Sequence, residues 1–339
     1  MRGLVIGGGG YIGSHMVLQL LDNKWEVSVF DNFSRGFRDA VPGAEIIAGD
    51  VRSPADLKRC FQEGPFDVVF HFAALAYVDE SVTCPALYYQ NNVIGSINLV
   101  DAMLAQNSRN IVFSSSCATY GGPDKIPISE EQQQSPINPY GQTKLMVEKI
   151  LADYSRAHQL NSVSLRYFNA AGADPLGRAG ERHNPETHII PLILREAMRL
   201  RNGGDPADTP LKVFGSDFDT ADGTCVRDFI HVTDLCGAHL LAADLLRRES
   251  SGARCYNLAN GHGFSVLDAI NICRKVTGMP IEYTLCARRA GDPAALVGDS
   301  SLANKELGWQ PQITSLEKII ESAWNWMLGD RSVKSPVAR

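Results

Sequence analysis

Short runs of apolar residues, mostly β-branched or aromatic, recur through the first half of the chain. Each run is bounded by polar or glycine-rich residues and has the length of a buried strand. The predicted strands are Leu4–Ile6, Val27–Phe30, Glu45–Ala48, Val68–Phe72, Ile111–Ser114 and Val163–Tyr167. Helix-like stretches between them include Ser14–Asn23, Pro54–Glu63, Pro85–Gln106 and Tyr140–His158. This alternation predicts an α/β fold with a Rossmann-type, doubly wound parallel sheet.

The pattern changes after Phe168. Residues 169–225 are rich in Gly, Pro and Asp and irregular, and helical periodicity returns at Asp234–Arg247 and Leu267–Val276. These features predict a smaller C-terminal α/β lobe, interleaved with the first. We divide the chain into a Rossmann domain (1–167, with 226–250 packed on it), a substrate lobe (168–225 and 251–330) and a flexible tail (331–339).

Composition and charge exclude several classes of protein. The 339 residues are 44% hydrophobic, and 32 Lys and Arg stand against 38 Asp and Glu, which gives a net charge of −6. This charge argues against broad binding to nucleic acid or to an anionic membrane. The eight cysteines include no CxxC pair, and we expect neither a signal peptide nor a membrane-spanning run. We therefore expect a cytoplasmic protein with reduced thiols.

The histidines give no sign of a metal centre. His71, His183, His188, His231 and His239 do not combine with cysteines or carboxylates at a recognised metal-site spacing. The sequence therefore predicts no metal site.

A glycine-rich loop follows the first predicted strand and opens the first helix. Residues 7–13 (GGGGYIG) satisfy GxxGxxG through Gly7, Gly10 and Gly13, and also GxGxxG from Gly8. Residues without a Cβ let the backbone approach a pyrophosphate, whose charge meets the free N–H groups of the helix. A plain glycine-rich turn is the alternative, but the flanking strand and helix favour a dinucleotide site.

An acidic residue at the next strand end indicates which dinucleotide binds. Asp31 can accept hydrogen bonds from an adenosine ribose and would repel a 2′-phosphate, so NAD is favoured over NADP. Arg35 opposes this reading because it could bind a phosphate, and a strand-end turn is the alternative role for Asp31. Asp50 ends the third strand, where its carboxylate could reach the adenine amino group.

Tyr140 and Lys144 lie four residues apart on a predicted helix that starts at Asn138-Pro139, and so share one face. Alone, such a pair is more often solvated surface. Ser116, however, follows a parallel strand at the edge where ligands of open sheets bind. A tyrosine base needs its pKa lowered by about 3 units near neutrality, which an ammonium and a positive cofactor ring can supply. The three side chains suit hydride abstraction from an alcohol carbon.

Motifs along nearly the whole chain resemble the extended short-chain dehydrogenase/reductase family and, within it, the UDP-glucose (UDP-galactose) 4-epimerases. The matching segments are GGGGYIGSH (7–15), DN (31–32), GDVR (49–52), HFAAL (71–75), SSSCATYG (114–121), NPYGQTK (138–144), RYFNAAGADP (166–175), DGTCVRDFIHVTDL (222–235) and RRAGDPA (288–294). The resemblance implies an isomerase that inverts C4 of UDP-glucose and UDP-galactose reversibly, through a transient 4-keto sugar and tightly bound NAD. It also implies a homodimer and a role in galactose metabolism.

The resemblance assigns roles by position. Tyr140 is the proton-transfer residue, Lys144 binds ribose and Ser116 is the catalytic hydroxyl. The implied cofactor site comprises Gly7, Gly10, Tyr11, Ile12, Gly13, Asp31, Asn32, Ser34, Gly36, Asp50, Val51, Phe72, Ala73, Ala74, Asn91, Tyr140, Lys144 and Phe168.

A UDP-sugar brings a pyrophosphate, which the guanidinium fork suits well. The family's diphosphate-binding arginines correspond to Arg227 and Arg289, although without the resemblance each would be read as a surface ion pair, with Asp228 and Asp292. The implied substrate site comprises Ser116, Tyr140, Asn169, His188, Ile189, Lys212, Phe214, Arg227, Arg289, Asp292 and Leu296. A bulky Leu296 is expected to disfavour N-acetylated sugars, unless it is only a core residue.

Two departures and three alternatives accompany this reading. Ala76 stands where many relatives have lysine, and His188 replaces an asparagine near the nucleotide. A UDP-sugar epimerase for N-acetylated sugars or pentoses is one alternative. A sugar-nucleotide dehydratase or decarboxylase is another, but dehydratases carry Asp-Glu after the active-site hydroxyl, where this chain has Cys117-Ala118. A non-catalytic NAD sensor could dispense with Tyr140 and Lys144.

Overall fold

Seven parallel strands form the central sheet. The computed structural model describes residues 1–62, 64–249, 252–289 and 292–329, so the predicted tail (331–339) lies outside the described residues. The strands are β1 (Arg2–Ile6), β2 (Glu26–Asp31), β3 (Glu45–Ala48), β4 (Val68–His71), β5 (Asn110–Ser116), β6 (Asn161–Tyr167) and β10 (Ala253–Leu258). Their order is β10-β6-β5-β4-β1-β2-β3, which reverses direction between β1 and β4. This confirms the predicted doubly wound, Rossmann-type sheet.

Helices cover both faces of this sheet. They are α1 (Tyr11–Asp22), α2 (Pro54–Phe61), α5 (Gly95–Ala105), α6 (Pro139–His158), α8 (Val232–Arg248) and α10 (Ser301–Leu307). The short helices α3 (Val78–Thr83) and α4 (Pro85–Tyr88) pack on α6. Side chains alternate along β1: Val5 belongs to the core that includes residues of α1 and α8, whereas Leu4 and Ile6 belong to the core that includes residues of α2, α5 and α6. Among the described residues, no helix is long and apolar enough to cross a membrane.

The second lobe is built on two small sheets. Strands β11 (Gly263–Ser265), β9 (Val226–His231) and β13 (Ala295–Leu296) lie side by side, with β7 (Asn169–Ala171) also paired to β9. Strands β8 (Lys212–Phe214) and β12 (Thr284–Cys286) form a separate pair. Helices α7 (Ile189–Arg201), α9 (Val266–Thr277) and α11 (Leu316–Gly329) supply the third hydrophobic core.

The chain crosses between the lobes more often than the predicted division has it. Strand β9 lies in the second lobe, whereas α8, which follows it directly, packs on α1. Strand β10 then joins the large sheet beside β6, although the sequence division places residues 251–330 in the substrate lobe. The lobes are therefore interleaved.

Two elements differ from the sequence pattern. The irregular character expected for residues 169–225 was wrong over α7, whose residues Ile190, Ile193, Leu194 and Ala197 are buried at helical spacing. The Gly-, Pro- and Asp-rich flanks concealed this period. The helix expected over Pro85–Gln106 is divided into α4 and α5 by a π-helical turn at Tyr89–Ile94, a type of irregularity that is frequent at functional sites.

A buried ion pair fixes α6 on the sheet. Arg166 of β6 donates to Glu148 of α6 through Nε (2.9 Å) and Nη2 (2.7 Å), and the side chains are only 6% and 4% exposed. The Ser115 hydroxyl (2.5 Å) and Gln134 Nε2 (3.1 Å) donate to the same carboxylate, and Arg166 Nη1 donates to the Tyr120 hydroxyl. The charges are thus compensated by a complete hydrogen-bond set, as burial requires.

We expect Glu148→Gln to lower the free energy of unfolding by about 3 kcal/mol or more, because it leaves the buried Arg166 without its counter-charge. Asp153→Asn is the matched control on the same helix. It removes the exposed pair with Arg156, and such surface pairs contribute less than about 1 kcal/mol. Urea denaturation of both variants tests this, and equal losses would contradict it.

Candidate active site

The predicted cofactor residues lie along one edge of the large sheet. The glycine loop follows β1, Asp31 and Asn32 end and follow β2, Asp50 and Val51 follow β3, Phe72–Ala74 follow β4, Ser116 ends β5 and Phe168 follows β6. All strands run parallel, so these are their carboxyl ends and meet at the same edge. That edge, at the point where the strand order reverses, is where open α/β sheets bind ligands.

Two glycines of the loop are required by close backbone packing. Gly7 has φ +81°, and a Cβ there would lie 2.5 Å from the Ala73 amide nitrogen. A Cβ on Gly13 would lie 2.2 Å from the Gly7 carbonyl oxygen. Gly10 precedes α1 and offers no side-chain cap, so the first-turn N–H groups face the sheet edge without a side-chain acceptor at the cap. This geometry fits a pyrophosphate at the start of α1.

Asp31 holds the glycine loop in place. Its Oδ2 accepts from the Gly9 amide (2.8 Å) and its Oδ1 from the Phe33 amide (2.7 Å), so the strand-end turn named as the alternative is present. Burial raises the pKa of the carboxyl, while these two amides oppose the rise. Each oxygen keeps a further lone pair for a ribose hydroxyl. Arg35, the candidate phosphate ligand, instead donates to Glu80 (2.7 Å), which favours NAD over NADP.

Asp50, the predicted adenine contact, is held by two neighbouring side chains. Arg52 donates to Asp50 through Nε (2.9 Å) and Nη2 (2.6 Å), and Asn32 Nδ2 donates at 3.0 Å. The Arg52 guanidinium holds the pKa of Asp50 well below its usual range, so the carboxylate is charged. The Asn32 side chain in turn accepts from the Ser34 amide, which links both predicted cofactor loops.

Ser116, Tyr140 and Lys144 come together where β5 meets α6. Asn138 caps α6 by accepting from the Gly141 amide (2.8 Å), and a Cβ on Gly141 would lie 2.4 Å from the Ala118 carbonyl oxygen. The first turn of α6 therefore rests on the turn that follows Ser116. Lys144 is buried one helical turn later, with its Nζ 2.6 Å from the Ser114 carbonyl oxygen and 5.8 Å from the centre of the Tyr140 ring.

The protein alone shifts the two pKa values toward the neutral forms. Burial raises the pKa of Tyr140 to about 12, against the opposing effect of the Ser116 hydroxyl. Burial lowers the pKa of Lys144 to about 7, against the charge of Glu148. Catalysis requires a lowered pKa for Tyr140, which the sequence argument assigned to an ammonium and a positive cofactor ring. In the protein alone, desolvation outweighs the hydrogen bond from Ser116, and the Lys144 Nζ is bonded to the Ser114 carbonyl oxygen.

One residue that the sequence analysis missed connects these parts. Asn92 lies in the π-helical turn, beside the predicted Asn91, whose amide donates to it. Asn92 exchanges two hydrogen bonds with the backbone of Leu75 (2.9 and 3.0 Å) and donates to Thr143 (3.0 Å). It thus fastens the loop after β4 to α6. A pair of asparagines in a largely apolar helical stretch was the available signal.

Three predicted substrate residues lie on adjacent strands of the second lobe. Leu296 of β13 is directly opposite Arg227 of β9, and Asn169 lies on β7, which also pairs with β9. Arg227 Nη1 donates to the carbonyl oxygens of Val226 (2.8 Å) and Pro293 (3.0 Å). The ion pair named as its alternative does not form, because the Asp228 carboxylate accepts backbone amides, among them those of Asn260 and Gly261.

A second group lies on the β8–β12 pair. Lys212 and Phe214 share the exposed face of β8, since Val213 between them is buried. The Arg289 guanidinium lies 5.2 Å from the centre of the Phe214 ring and donates to Asp292 at 2.9 Å. The alternative ion pair is therefore present for Arg289, and the remaining guanidinium N–H groups stay available as donors.

The last predicted substrate residues stand at the start of α7. His188 is the N-cap residue and Ile189 the first residue of the helix, and the His188 ring is bonded to Glu181. His183 also approaches Glu181 (3.3 Å) and Glu186 (3.4 Å). Although burial opposes protonation, these carboxylates raise the pKa of His183 to about 9. The structure thus gathers histidines and carboxylates that the sequence analysis treated as unrelated.

Ala76, which stands where the family resemblance implies lysine, is exposed. The neighbouring Tyr77 hydroxyl donates to the Pro185 carbonyl oxygen (2.8 Å), and the Arg35 guanidinium lies 4.8 Å from the centre of the Tyr77 ring. The loop after β4 therefore reaches across to the segment that precedes α7.

Comparisons with known proteins agree with this geometry. The model of the NAD dependent epimerase/dehydratase family matches residues 3–259. The chain is 48% identical over 323 residues to the UDP-glucose 4-epimerase of Halalkalibacterium halodurans, covering 95% of this chain and 94% of that protein. It is 46% identical to the UDP-glucose 4-epimerase of Lacticaseibacillus casei, covering 95% of each.

Solved structures give the same result. The UDP-glucose 4-epimerase from Brucella ovis, in complex with NAD, superposes with a TM-score of 0.89 at 45% identity, over 96% of this chain and 97% of that one. The enzyme from Bifidobacterium longum, in complex with NAD⁺ and UDP, has a TM-score of 0.90 at 37% identity, over 97% and 99% of the two chains.

We expect Gly13→Ala to destabilise the protein, although alanine is the better helix former. The added methyl group collides with the Gly7 carbonyl, and such overpacking costs about 1–3 kcal/mol. Gly237→Ala, inside α8, meets no atom within 4 Å and should instead stabilise by up to about 1 kcal/mol. Thermal unfolding of both variants tests this. If both variants were stabilised, the glycine loop would have to move to make room for the added methyl group.

Proposed function

Since the chain belongs to the NAD dependent epimerase/dehydratase family, we propose that it is a UDP-sugar isomerase. It interconverts UDP-glucose and UDP-galactose by inverting C4 through a transient 4-keto sugar, with NAD as its cofactor. The full-length likeness to UDP-glucose 4-epimerases supports this reaction. The observation that carries it is the convergence of Ser116, Tyr140 and Lys144 at the carboxyl edge of the sheet, beside the glycine loop.

Tyr140 takes the proton of the C4 hydroxyl and later returns it, while Ser116 hydrogen-bonds the same hydroxyl and shortens the proton path. Bound at the sheet edge, NAD would accept the hydride of C4, so that the alcohol becomes a ketone, and its oxidised ring would supply positive charge. Lys144, with a pKa of about 7, gains a proton readily when a negative phenolate forms beside it. The buried phenol therefore ionises only in the presence of positive charge, which confines base catalysis to the loaded site.

The second lobe holds the nucleotide while the sugar turns. Arg227 and Arg289 bind the diphosphate, Phe214 and Ile189 border the nucleotide, Asp292 contacts its ribose, and Asn169, His188 and Lys212 complete the polar contacts. This anchoring keeps the keto sugar in the site, so the same hydride can return to its opposite face. Return of this hydride to the sugar would restore oxidised NAD, so the reaction would consume no external redox partner.

The structure gives a reason to prefer this reaction over a dehydratase. Water loss needs an acid and a base next to the active-site hydroxyl, but Ser116 is followed by Cys117 and Ala118. Burial raises the pKa of Cys117 to about 12, so its thiol is a poor base near neutrality. A non-catalytic NAD sensor would have no use for Tyr140 and Lys144 in their present arrangement.

Three further features are part of the proposal. We place the protein in the cytoplasm, in galactose metabolism, on the basis of its scattered cysteines and its relatives. We also propose a homodimer through the Pro85–Gln106 region and α6. Ile94, which is 49% exposed in the first of these regions, is an apolar side chain that such an interface would cover.

Incubation with UDP-galactose tests the reaction. The wild-type protein should form UDP-glucose without added cofactor, and denaturation should release NAD. Tyr140→Phe should keep NAD and UDP-sugar binding but lose about 10²–10⁴-fold in kcat, because only the proton-transferring oxygen is removed. Tyr154→Phe is the matched control on the same helix, since its hydroxyl donates to Asp101 at the surface.

Chromatography of the products and kcat values decide the outcome. Near-normal turnover in Tyr140→Phe would place the base elsewhere. Unchanged UDP-galactose with tightly held NAD in the wild type would favour the sensor, and a dehydrated product the dehydratase.

Leu296 should limit the size of the sugar. Its place opposite Arg227 puts it beside the proposed diphosphate site, and an added acetamido group there would overpack the wall by about 1–3 kcal/mol. We expect UDP-glucose and UDP-galactose to be preferred over their N-acetylated counterparts, roughly 5- to 150-fold in kcat/KM. Leu296→Ser should reduce this preference, whereas Leu176→Ser, at a side chain 77% exposed, should not. Equal use of both sugar pairs by the wild type would remove Leu296 as the limit.

A further inference from the structure

Four potential metal ligands from one short segment converge between the glycine loop and α7. They are Glu181, His183, Glu186 and His188, and one ligand atom from each lies within 4.8 Å of the others. His183 Nδ1 is 3.3 Å from Glu181 Oε1 and 3.4 Å from Glu186 Oε1, and His188 Nδ1 contacts Glu181 Oε1. Metal–ligand bonds of about 2.1 Å give a tetrahedral edge of about 3.4 Å, so two of these separations already match a coordination shell.

The segment is held in this shape by contacts outside the cluster and by its own backbone. Glu186 Oε1 accepts from the amides of Thr187 (2.9 Å) and His188 (3.0 Å). The Tyr77 hydroxyl donates to the carbonyl oxygen of Pro185, between the ligands. The ring of Tyr11 stands edge-on to His183, with centroids 6.2 Å apart. The four side chains are therefore arranged by the fold rather than by one another alone.

Two buried atoms of the cluster have no hydrogen-bond partner among the described residues. They are Glu186 Oε2, on a side chain with no exposed surface, and His183 Nδ1. Arg195 Nη2 approaches Glu186 Oε2 only to 3.6 Å, which is too long for a hydrogen bond. The other neighbouring guanidinium, that of Arg182, is bound to Asp39. The ion pair with Arg195 offsets the charge of Glu186 Oε2 but not its missing hydrogen bond, and a buried polar atom without a hydrogen bond costs about 1–3 kcal/mol, so this oxygen points to a ligand.

We propose that Glu181, His183, Glu186 and His188 bind a divalent transition-metal ion of the Zn²⁺ class. Two carboxylates supply the charge that a dication neutralises, and imidazole nitrogens favour zinc and its neighbours over magnesium or calcium. The His188 side chain is 48% exposed, which gives the ion a path from solvent. A bound ion would fix the His188 ring at the start of α7 and fasten the segment beneath Tyr11. The proposal does not depend on the proposed reaction, because its readout is metal binding.

Metal titration of the full chain tests the site. The protein is freed of metal with a chelator and titrated with ZnCl₂ by calorimetry, and bound zinc is counted by mass spectrometry after gel filtration. We expect one saturable Zn²⁺ per chain and weaker binding of MgCl₂. Glu186→Gln should weaken Zn²⁺ binding at least about tenfold. His188→Asn, at a half-exposed position, should do the same and keeps the test valid if Glu186→Gln fails to fold.

His158→Asn is the matched control, because this exposed histidine lies at the end of α6 and the variant retains every cysteine. It should bind Zn²⁺ as the wild type does. Three results would overturn the proposal: no saturable Zn²⁺ binding, binding retained in both cluster variants as expected of surface thiols, or an equal loss in His158→Asn. A preference for Mg²⁺ over Zn²⁺ would overturn the assigned metal class.

Discussion

The buried pair of Glu148 and Arg166 is the constraint on which the arrangement of the site depends. It joins α6 to β6 at a single depth and rotation, because the guanidinium fork accepts only one orientation of the carboxylate. Lys144 lies one helical turn before Glu148, so its position on α6 is set by the same contact, and Tyr140 lies one turn further. The Glu148–Arg166 ion pair thus positions Lys144 and Tyr140, which make few strong interactions themselves.

The three buried ionisable groups along this part of α6 differ in their partners. Glu148 is ion-paired with the Arg166 guanidinium. Within the described part of the chain, Tyr140 and Lys144 form no such ion pair, and burial shifts their pKa values toward the neutral forms. Without a ligand, the site therefore favours the neutral forms of Tyr140 and Lys144, and a charged ligand is needed to stabilise their ionised forms. The sequence argument counted the lysine charge and the positive ring of the cofactor, and the structure adds the desolvation of the phenol that these charges have to overcome.

The strands, the glycine loop and the start of α6 could be predicted because each is encoded in one contiguous stretch, by period, composition or cap. Their meeting at one edge follows from the parallel sheet. Helix α7 could not be recognised because its periodic stretch is short and is flanked by residues that break helices. The segment 181–188 has no standard metal spacing, and its side chains meet through its own backbone hydrogen bonds and the contacts of Tyr11 and Tyr77, which the sequence alone does not indicate. The partners of Asp228 are equally long-range and leave no local trace.

The repeated crossing of the chain between lobes has a consequence for dissection of the protein. A fragment ending at residue 167 would lack α8 and β10, and would expose to water the face of β5 and β6 on which α8 packs, together with the open hydrogen-bonding edge of β6. Such an edge is a template for pairing with other chains. Residues 1–167 therefore lack two elements that complete the large sheet, and we expect a fragment cut at that boundary to aggregate.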